Sequence, residues 1–257
     1  MNRILNAFKN KNDKAFITFL TAGDPDIKKS EEFILEMVKA GADLIEIGIP
    51  FSDPIAEGKV IEAANIRALS CGTTTDSVFE LVQSVRQKTQ VPLVLLTYLN
   101  PVFKYGYERF FKCCNSAGVD GIIIPDLPFE EKGELVDHAK KNDVRIISLI
   151  APTSKERIKR IAEDSSGFIY LVSSMGVTGI RENIDTDLVS IISDIRTFTD
   201  TPVAIGFGIS SPEQASKYGA ISDGVIVGSA IVKIIAQHGQ NSAPYIYEYV
   251  KSMKEAL

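Results

Sequence analysis

Cysteine and histidine are scarce in this sequence. Three cysteines occur among 257 residues, and two of them, Cys113 and Cys114, are adjacent, which fits neither a disulfide framework nor a CxxC zinc site. We expect them to be small, buried apolar residues of a helix. The two histidines, His138 and His238, fall in polar helical segments. A histidine-ligated metal and a Ser–His–Asp triad are therefore not expected.

Excess positive charge and long apolar runs are also lacking. A net charge of −5 and an isoelectric point near 5.2 argue against nucleic acid or an anionic membrane as the main partner. No apolar run approaches the roughly 20 residues of a membrane span, and residues 1–14 are too polar for a signal peptide. We therefore expect a cytoplasmic protein.

Cofactor fingerprints are missing as well. Gly206 and Gly208 flank Phe207 without the third glycine of a dinucleotide-binding loop, and there is no Walker sequence. We predict that this chain binds no cofactor. The composition, 45% hydrophobic and 24% charged, is typical of a globular protein with a sizeable core.

Apolar, strand-like segments alternate with amphipathic helical segments along the whole chain. Strands that are apolar almost throughout are covered on both faces, which indicates a parallel sheet. Eight such units in a chain of this length predict a single α/β domain over residues 1–257, a (β/α)8 TIM barrel. An open, doubly wound sheet is the alternative. The predicted strands occupy residues 15–21, 44–49, 93–98, 121–124, 145–150, 167–172, 202–206 and 224–227.

Three features extend the simple barrel pattern. A short amphipathic helix over residues 1–10 has a place at the bottom of the barrel, and an elaborated loop over residues 51–59 precedes two helices between residues 60 and 90. Residues 173–183 contain glycine and serine with little to bury, and we interpret them as a mobile lid after the sixth strand. The other predicted helices span residues 30–40, 107–117, 131–141, 154–163 (capped by Ser154), 187–197, 212–218 and 244–255, and one more begins at residues 228–229.

The second strand contains a single carboxylate in an apolar run. Glu46 follows Leu44 and Ile45, and the loop after this strand contributes Asp53 and Glu57. Burying an unpaired carboxylate costs several kcal/mol or shifts its pKa, and such a group suits acid–base chemistry. The alternative is that a structural Lys or Arg neutralises Glu46.

The residues that could take part in catalysis or binding cluster at the ends of the predicted strands. In a barrel the carboxyl ends of all strands meet at the active-site face, so this clustering favours the barrel over the open sheet. The residues that end or follow strands are Asp24, Glu46, Asp53, Asn100, Asp126, Gly179, Gly208 and Ser229.

Glycine-bearing turns follow the last three strands. They contain Gly179, Gly208 and the pair Gly228-Ser229, and the last pair opens a helix directly. Free N–H groups and the dipole at a helix N-terminus attract anions, and barrels often hold phosphate after strands seven and eight. Each glycine alone is explained by a turn, but the three together predict a phosphorylated substrate.

The motifs resemble those of the tryptophan synthase α subunit family over essentially the whole chain. The strings that match are LIEIGIPFSDPIAEG, LTYLNPVFKYG, GIIIPDLPFEE, GFIYLVSSMGVTG, GFGISSPEQ and DGVIVGSAIVKII. The resemblance implies cofactor-free retro-aldol cleavage of indole-3-glycerol phosphate to indole and glyceraldehyde 3-phosphate. It also implies a pyridoxal-phosphate-dependent β subunit that receives the indole in a heterotetramer of two α and two β chains.

The resemblance also assigns roles to residues. Glu46 would move protons at the ring carbon and the glycerol hydroxyl, and Glu57 would hold the indole N–H. Thr178 on the lid would close against the Glu57 loop. The remaining implied residues are Phe19, Leu96, Ile123 and Tyr170 in the indole pocket, Gly179, Gly208, Gly228 and Ser229 at the phosphate, and Asp53, Asn100 and Pro128 at the partner interface.

The sequence departs from the family in one loop. Where the family usually has Asp-Gly-Pro, this chain has Glu57-Gly58-Lys59, so the carboxylate gains a methylene and a lysine replaces a proline. Two other functions compete with the lyase: a non-catalytic subunit that binds substrate and activates its partner, and a sugar-phosphate isomerase on the same barrel.

Overall fold

The computed structural model describes residues 3–9, 13–152, 155–173, 184–206 and 208–257. In these ranges nine parallel strands form one sheet. They are β1 Ala15–Thr21, β2 Leu44–Gly48, β3 Leu93–Leu96, β4 Gly121–Ile123, β5 Arg145–Ile146, β6 Ser148–Ile150, β7 Ile169–Val172, β8 Val203–Gly206 and β9 Gly224–Val227.

The sheet closes on itself. Its order is β5-β4-β3-β2-β1-β9-β8-β7-β6, and only Ile147 separates its two end strands along the chain. The N–H of Ile147 donates to the carbonyl of Ile122 at 2.9 Å. The predicted fifth strand is therefore divided, with β5 paired to β4 and β6 paired to β7. The predicted barrel is confirmed, and the open sheet is wrong.

Helices connect the strands and surround the barrel. They are α1 Arg3–Ala7, α2 Ile27–Lys39, α3 Lys59–Ser70, α4 Thr75–Arg86, α5 Leu99–Tyr105, α6 Tyr107–Ala117, α7 Gly133–Lys141, α8 Lys155–Glu163, α9 Ile184–Arg196, α10 Pro212–Ile221, α11 Ser229–His238 and α12 Ala243–Lys254, with 3-10 turns at Phe129–Glu131 and Gly239–Asn241. The two helices predicted between residues 60 and 90 are α3 and α4. Both the predicted cap at Ser154 and the predicted lid, apart from Ser173, lie outside the described residues.

One helix is absent from the prediction. α5 occupies residues between the predicted third strand (93–98) and the predicted helix over residues 107–117, and β3 ends at Leu96 and not at residue 98. Pro101 lies in the first turn of α5, where a missing N–H breaks no helical hydrogen bond. The N–H of Leu99 is instead capped by a carboxylate oxygen of Asp126 at 2.9 Å.

Alternate strand residues face the barrel interior, as expected for a closed sheet. Ile17 of β1 packs inside, whereas Phe16 packs against the outer helices. The predicted plug is confirmed in α1: Ile4 is fully buried in the interior cluster, and the Phe8 ring lies 5.7 Å from that of Phe168. Of the cysteines, Cys114 is buried, Cys113 is half-buried and Cys71 is exposed, so the expectation of burial holds fully only for Cys114.

An aspartate precedes three of the strands and binds the neighbouring strand. Each carboxylate accepts a backbone N–H at the amino-terminal end of the barrel: Asp43 from Phe16 (2.7 Å), Asp120 from Leu93 (2.9 Å) and Asp223 from Val203 (2.9 Å). Because these N–H groups belong to the first or second residue of their strands, the carboxylates fix the end of the barrel that lies opposite the predicted site.

Candidate active site

Glu46 points into the barrel from the middle of β2. Its side chain is 1% exposed, and burial raises the pKa of its carboxyl to about 8. Within the described part of the chain its Oε1 has no hydrogen-bond partner, and no Lys or Arg pairs with it. The alternative of a structural ion pair is therefore not supported. A carboxylic acid that is neutral near pH 7 can donate a proton and recover it.

Glu57 lies on the loop between β2 and α3. Its Oε2 accepts a hydrogen bond of 2.6 Å from the amide of Asn65. Burial raises the pKa of Glu57, Asn65 and Tyr98 oppose that rise, and the nearby charge of Glu62 adds to it. Hydrogen bonds from its neighbours thus hold Glu57, whereas burial alone raises the pKa of Glu46.

The loop that carries Glu57 is fastened to the next strand. The buried hydroxyl of Tyr98, just beyond β3, accepts the N–H of Ala56 at 3.1 Å. Its ring also packs against Phe51 with the centroids 5.4 Å apart. Lys59 is the exposed first residue of α3, a helical position where proline is common but not required.

Aromatic rings of the predicted indole pocket lie on glycines of neighbouring strands. A β-carbon added to Gly48 would lie 2.8 Å from Cζ of Phe19, and one added to Gly206 would lie 2.3 Å from the Tyr170 hydroxyl. Glycine at these positions gives the rings room to lie across the strands. Ile123 and Leu96 contact the same interior cluster as Tyr170.

The pocket also has a wall that the sequence did not reveal. Phe19 and Leu96 pack with Ala64 and Ile61 of α3 and with Val232 of α11. The sequence signal that could have revealed it is the apolar spacing of residues 60, 61 and 64, which places these side chains on one face of a helix. α3 therefore covers the mouth of the barrel next to Glu57.

The predicted phosphate residues are divided between described and undescribed parts of the chain. Gly228 caps the N-terminus of α11 without a side-chain hydrogen bond, and Ser229 is its exposed first residue. Gly208 has a φ of +79° and open space where a side chain would begin. Thr178 and Gly179 lie outside the described residues. The N-terminus of α11 thus has the geometry that binds anions.

The predicted partner residues follow three adjacent strands. Asp53, Asn100 and Pro128 are all exposed, after β2, β3 and β4 respectively. Two exposed apolar side chains on the same segments were missed, Ile55 and Phe103, which are 78% and 66% exposed. Isolated apolar residues carry little sequence signal, because exposure cannot be read from residue type.

These features define a class of protein: a (β/α)8 barrel with two carboxylates and an anion-binding helix at the carboxyl ends of its strands. In the described ranges, no group of three or more His, Cys, Asp or Glu residues is arranged to hold a metal ion. No helix in those ranges combines the length and apolar character needed to span a membrane.

Comparison with known proteins identifies the family within this class. A sequence model of the family described as "Tryptophan synthase alpha chain" matches residues 5–257. The alpha chain of Lacticaseibacillus casei is 47% identical, with 100% of this chain and 96% of that protein covered. The alpha chain of Caldanaerobacter subterraneus subsp. tengcongensis is 49% identical, with both proteins covered completely.

Solved structures of similar fold point to the same family. The crystal structure of the alpha chain from Legionella pneumophila has a TM-score of 0.90 and 33% identity, covering 100% of this chain and 97% of that one. A chain from the Pyrococcus furiosus tryptophan synthase α2β2 complex has a TM-score of 0.87 and 37% identity, covering 94% and 98%. The chain therefore belongs to the tryptophan synthase alpha chain family.

Proposed function

We propose that this chain cleaves indole-3-glycerol phosphate to indole and glyceraldehyde 3-phosphate, with Glu46 and Glu57 as its catalytic residues. The observation that carries the proposal is the state of Glu46, which is buried, has no ionic partner among the described residues and has a pKa of about 8. At neutral pH it holds the proton with which the reaction begins.

In the proposed reaction Glu46 takes part in two proton transfers, giving one proton and receiving another. Glu46 donates it to the ring carbon that bears the glycerol chain, and the positive charge that develops on the ring nitrogen strengthens the hydrogen bond from its N–H to ionised Glu57. The Glu46 carboxylate then takes the proton of the glycerol hydroxyl while the carbon–carbon bond breaks. The electron pair of the broken carbon–carbon bond restores the indole ring, and the hydroxyl oxygen becomes the carbonyl oxygen of the aldehyde. Glu46 is then protonated again.

The other predicted residues bind the substrate. Phe19, Leu96, Ile123 and Tyr170 surround the indole with apolar and aromatic groups. Gly179, Gly208, Gly228 and Ser229 receive the phosphate through backbone N–H groups, and the dipole of α11 favours its charge. Thr178 closes the lid toward Glu57. Binding through the phosphate fixes the distant end of the substrate while the chemistry takes place at the ring.

The partner is a tryptophan synthase β subunit in an α2β2 heterotetramer, which supplies the pyridoxal phosphate and consumes the indole. Support comes from the related α2β2 complex of Pyrococcus furiosus and from Asp53, Asn100 and Pro128 on adjacent exposed segments. Hydrogen bonds from Ala56 to Tyr98 and from Leu99 to Asp126 tie these segments together, so they present one surface. We also place this biosynthetic enzyme in the cytoplasm.

Both carboxylates are retained, which argues against a non-catalytic activating subunit. The deciding experiment measures free indole from indole-3-glycerol phosphate with and without a β subunit. Glu46→Gln should fold and bind substrate but lose turnover by about 10²-fold or more, the usual scale for an acid–base residue. Glu248→Gln, the same change at an exposed site on α12, is the control. Activity of Glu46→Gln within a few-fold of wild type would remove Glu46 from the mechanism.

A further inference from the structure

Asn65 is a buried amide on the helix that covers the mouth of the barrel. It is only 3% exposed, and its neighbour Ala64 packs against Phe19. Its Nδ2 donates a short hydrogen bond, of 2.6 Å, to Oε2 of Glu57, and bonds to an ionised acceptor are shorter than those between neutral groups. A buried amide costs free energy unless it is hydrogen-bonded, so Asn65 and Glu57 satisfy each other.

The helix that carries Asn65 is itself fixed to the barrel. Two residues further along α3, Arg67 donates two hydrogen bonds, of 2.8 and 2.7 Å, to the carboxylate of Asp24. Asp24 follows β1 and is 1% exposed. A bidentate pair of this kind sets orientation as well as distance. The Asn65 amide therefore has a defined position relative to the pocket.

Several groups act on the Glu57 carboxyl from the elements around it. Burial and the charge of Glu62 on α3 favour its protonated form, whereas Asn65 and the Tyr98 hydroxyl favour the ionised form. Asn65 is the larger of the two opposing influences. Without its N–H, burial and Glu62 would be opposed by Tyr98 alone.

We propose that Asn65 is a positioning residue for Glu57, whose amide both aims the carboxylate at the indole N–H and keeps it ionised. This inference rests on the proposed function, since it assigns Glu57 the task of accepting that hydrogen bond. Asn65 itself need not touch the substrate.

The first test is the pH dependence of kcat in Asn65→Leu, an apolar replacement of similar size. Removal of the donor raises the pKa of Glu57, so the acid limb of the profile should move to higher pH. The shift should be about one to two pH units, the worth of a hydrogen bond to a charged group. On the acid limb, turnover should fall at least tenfold relative to wild type and recover in part as the pH is raised. A variant that only lost structural integrity would not recover.

The matched control is Asn115→Leu. The Asn115 amide donates to the carbonyl of Asn142 at 2.8 Å on the outside of α6, so this variant loses the same kind of bond far from the site. Its pH profile should be that of wild type. An Asn65→Leu profile that coincides with wild type, while wild type releases indole, would overturn the inference but leave the proposed function intact. If wild type releases no indole, the proposed function itself fails.

A second test, in which Glu57 is shortened and Asn65 is lengthened by one methylene each, remains available if Asn65→Leu does not fold. Glu57→Asp withdraws the carboxylate by one methylene, and Asn65→Gln extends the amide by one. If the two groups act as a bonded pair, the double variant should release indole at least about threefold faster than Glu57→Asp alone, since contacting residues are not additive. A double variant no better than the product of the two single effects would show that the bond has no role in turnover.

Discussion

Gly228 lies directly against the ring of Phe19. A β-carbon at Gly228 would stand 3.1 Å from Cδ1 of that ring. One residue therefore caps the helix proposed to bind phosphate and also borders the proposed indole pocket. The indole end of the substrate would contact Phe19 on β1, and its phosphate would bind next to Gly228, just after β9. These two strands pair in parallel.

This contact leads to a prediction for two variants of Gly228. Gly228→Asp should fold, because the φ of −124° at this position is negative and so lies outside the left-handed region that requires glycine. The new carboxylate would occupy the anion site and repel phosphate, so KM should rise about tenfold or more with a smaller change in kcat. Gly228→Ala, which adds only the contact with Phe19, should change KM less. Equal inhibition of wild type and Gly228→Asp by glycerol phosphate would place the phosphate elsewhere.

A second prediction concerns the amino-terminal end of the barrel. Asp120 is buried, pairs with Arg86 at 2.7 Å and with Arg3 at 2.9 Å, and accepts the N–H of Leu93. Asp120→Ala would remove the charged partner of the largely buried Arg86, which keeps its hydrogen bonds to the carbonyls of Gly118 and Val91, and would leave the Leu93 N–H without its acceptor. We expect a loss of about 3 kcal/mol in the free energy of unfolding, measured by urea denaturation. Glu108→Ala, which breaks an exposed pair with Lys112, should leave the midpoint unchanged; equal effects would contradict the argument.

The barrel itself could be predicted because its signals are local. Eight apolar runs of four to seven residues are each bounded by turn residues, and the structure keeps all eight, dividing one of them at Ile147. Glu46 was also recognisable, since a lone charge in such a run needs an explanation. Both signals lie within a few neighbouring residues.

Features that depend on distant partners could not be predicted. The first turn of α5 is capped by Asp126, 27 residues further along the chain, and Pro101 obscured the helical pattern. The bond between Asn65 and Glu57 joins a helix face to a loop whose geometry the sequence does not specify. The contact of Tyr98 with Ala56 spans 42 residues. Such contacts appear only after the strands have been placed side by side.

Variants of Glu57 test its role as a charged acceptor. Glu57→Gln keeps the size of the side chain but removes the charge that would strengthen the bond to the indole N–H in the transition state. We expect about 10²-fold slower indole release, whereas Glu57→Asp should retain about a tenth of wild-type activity, because it keeps the charge but misplaces it by about 1 Å. Steady-state kinetics would check both values. Near-wild-type release by Glu57→Gln would make Asp53 the better candidate for the second carboxylate.

The last prediction concerns the effect of Glu46 on stability. Its carboxyl has a pKa of about 8 in the folded protein against a usual value of 4.5. Between these pH values the folded state binds more protons than the unfolded state, so the free energy of unfolding falls as the pH rises. The full stability is present below about pH 4.5, and the loss is complete only above pH 8.

Glu46→Gln cannot ionise and should escape this loss. Measured by urea denaturation, the free energy of unfolding of the variant should therefore increase relative to that of wild type as the pH rises from 4.5 to 8.5. The difference should reach roughly a few kcal/mol at the upper end. Glu248→Gln should show no such trend. Parallel curves for wild type and Glu46→Gln would mean that Glu46 titrates normally in the folded protein, and the acid–base role would lose its physical basis. The expected result is a more stable protein at alkaline pH with almost no turnover, because the group that weakens the fold is the one that the reaction requires.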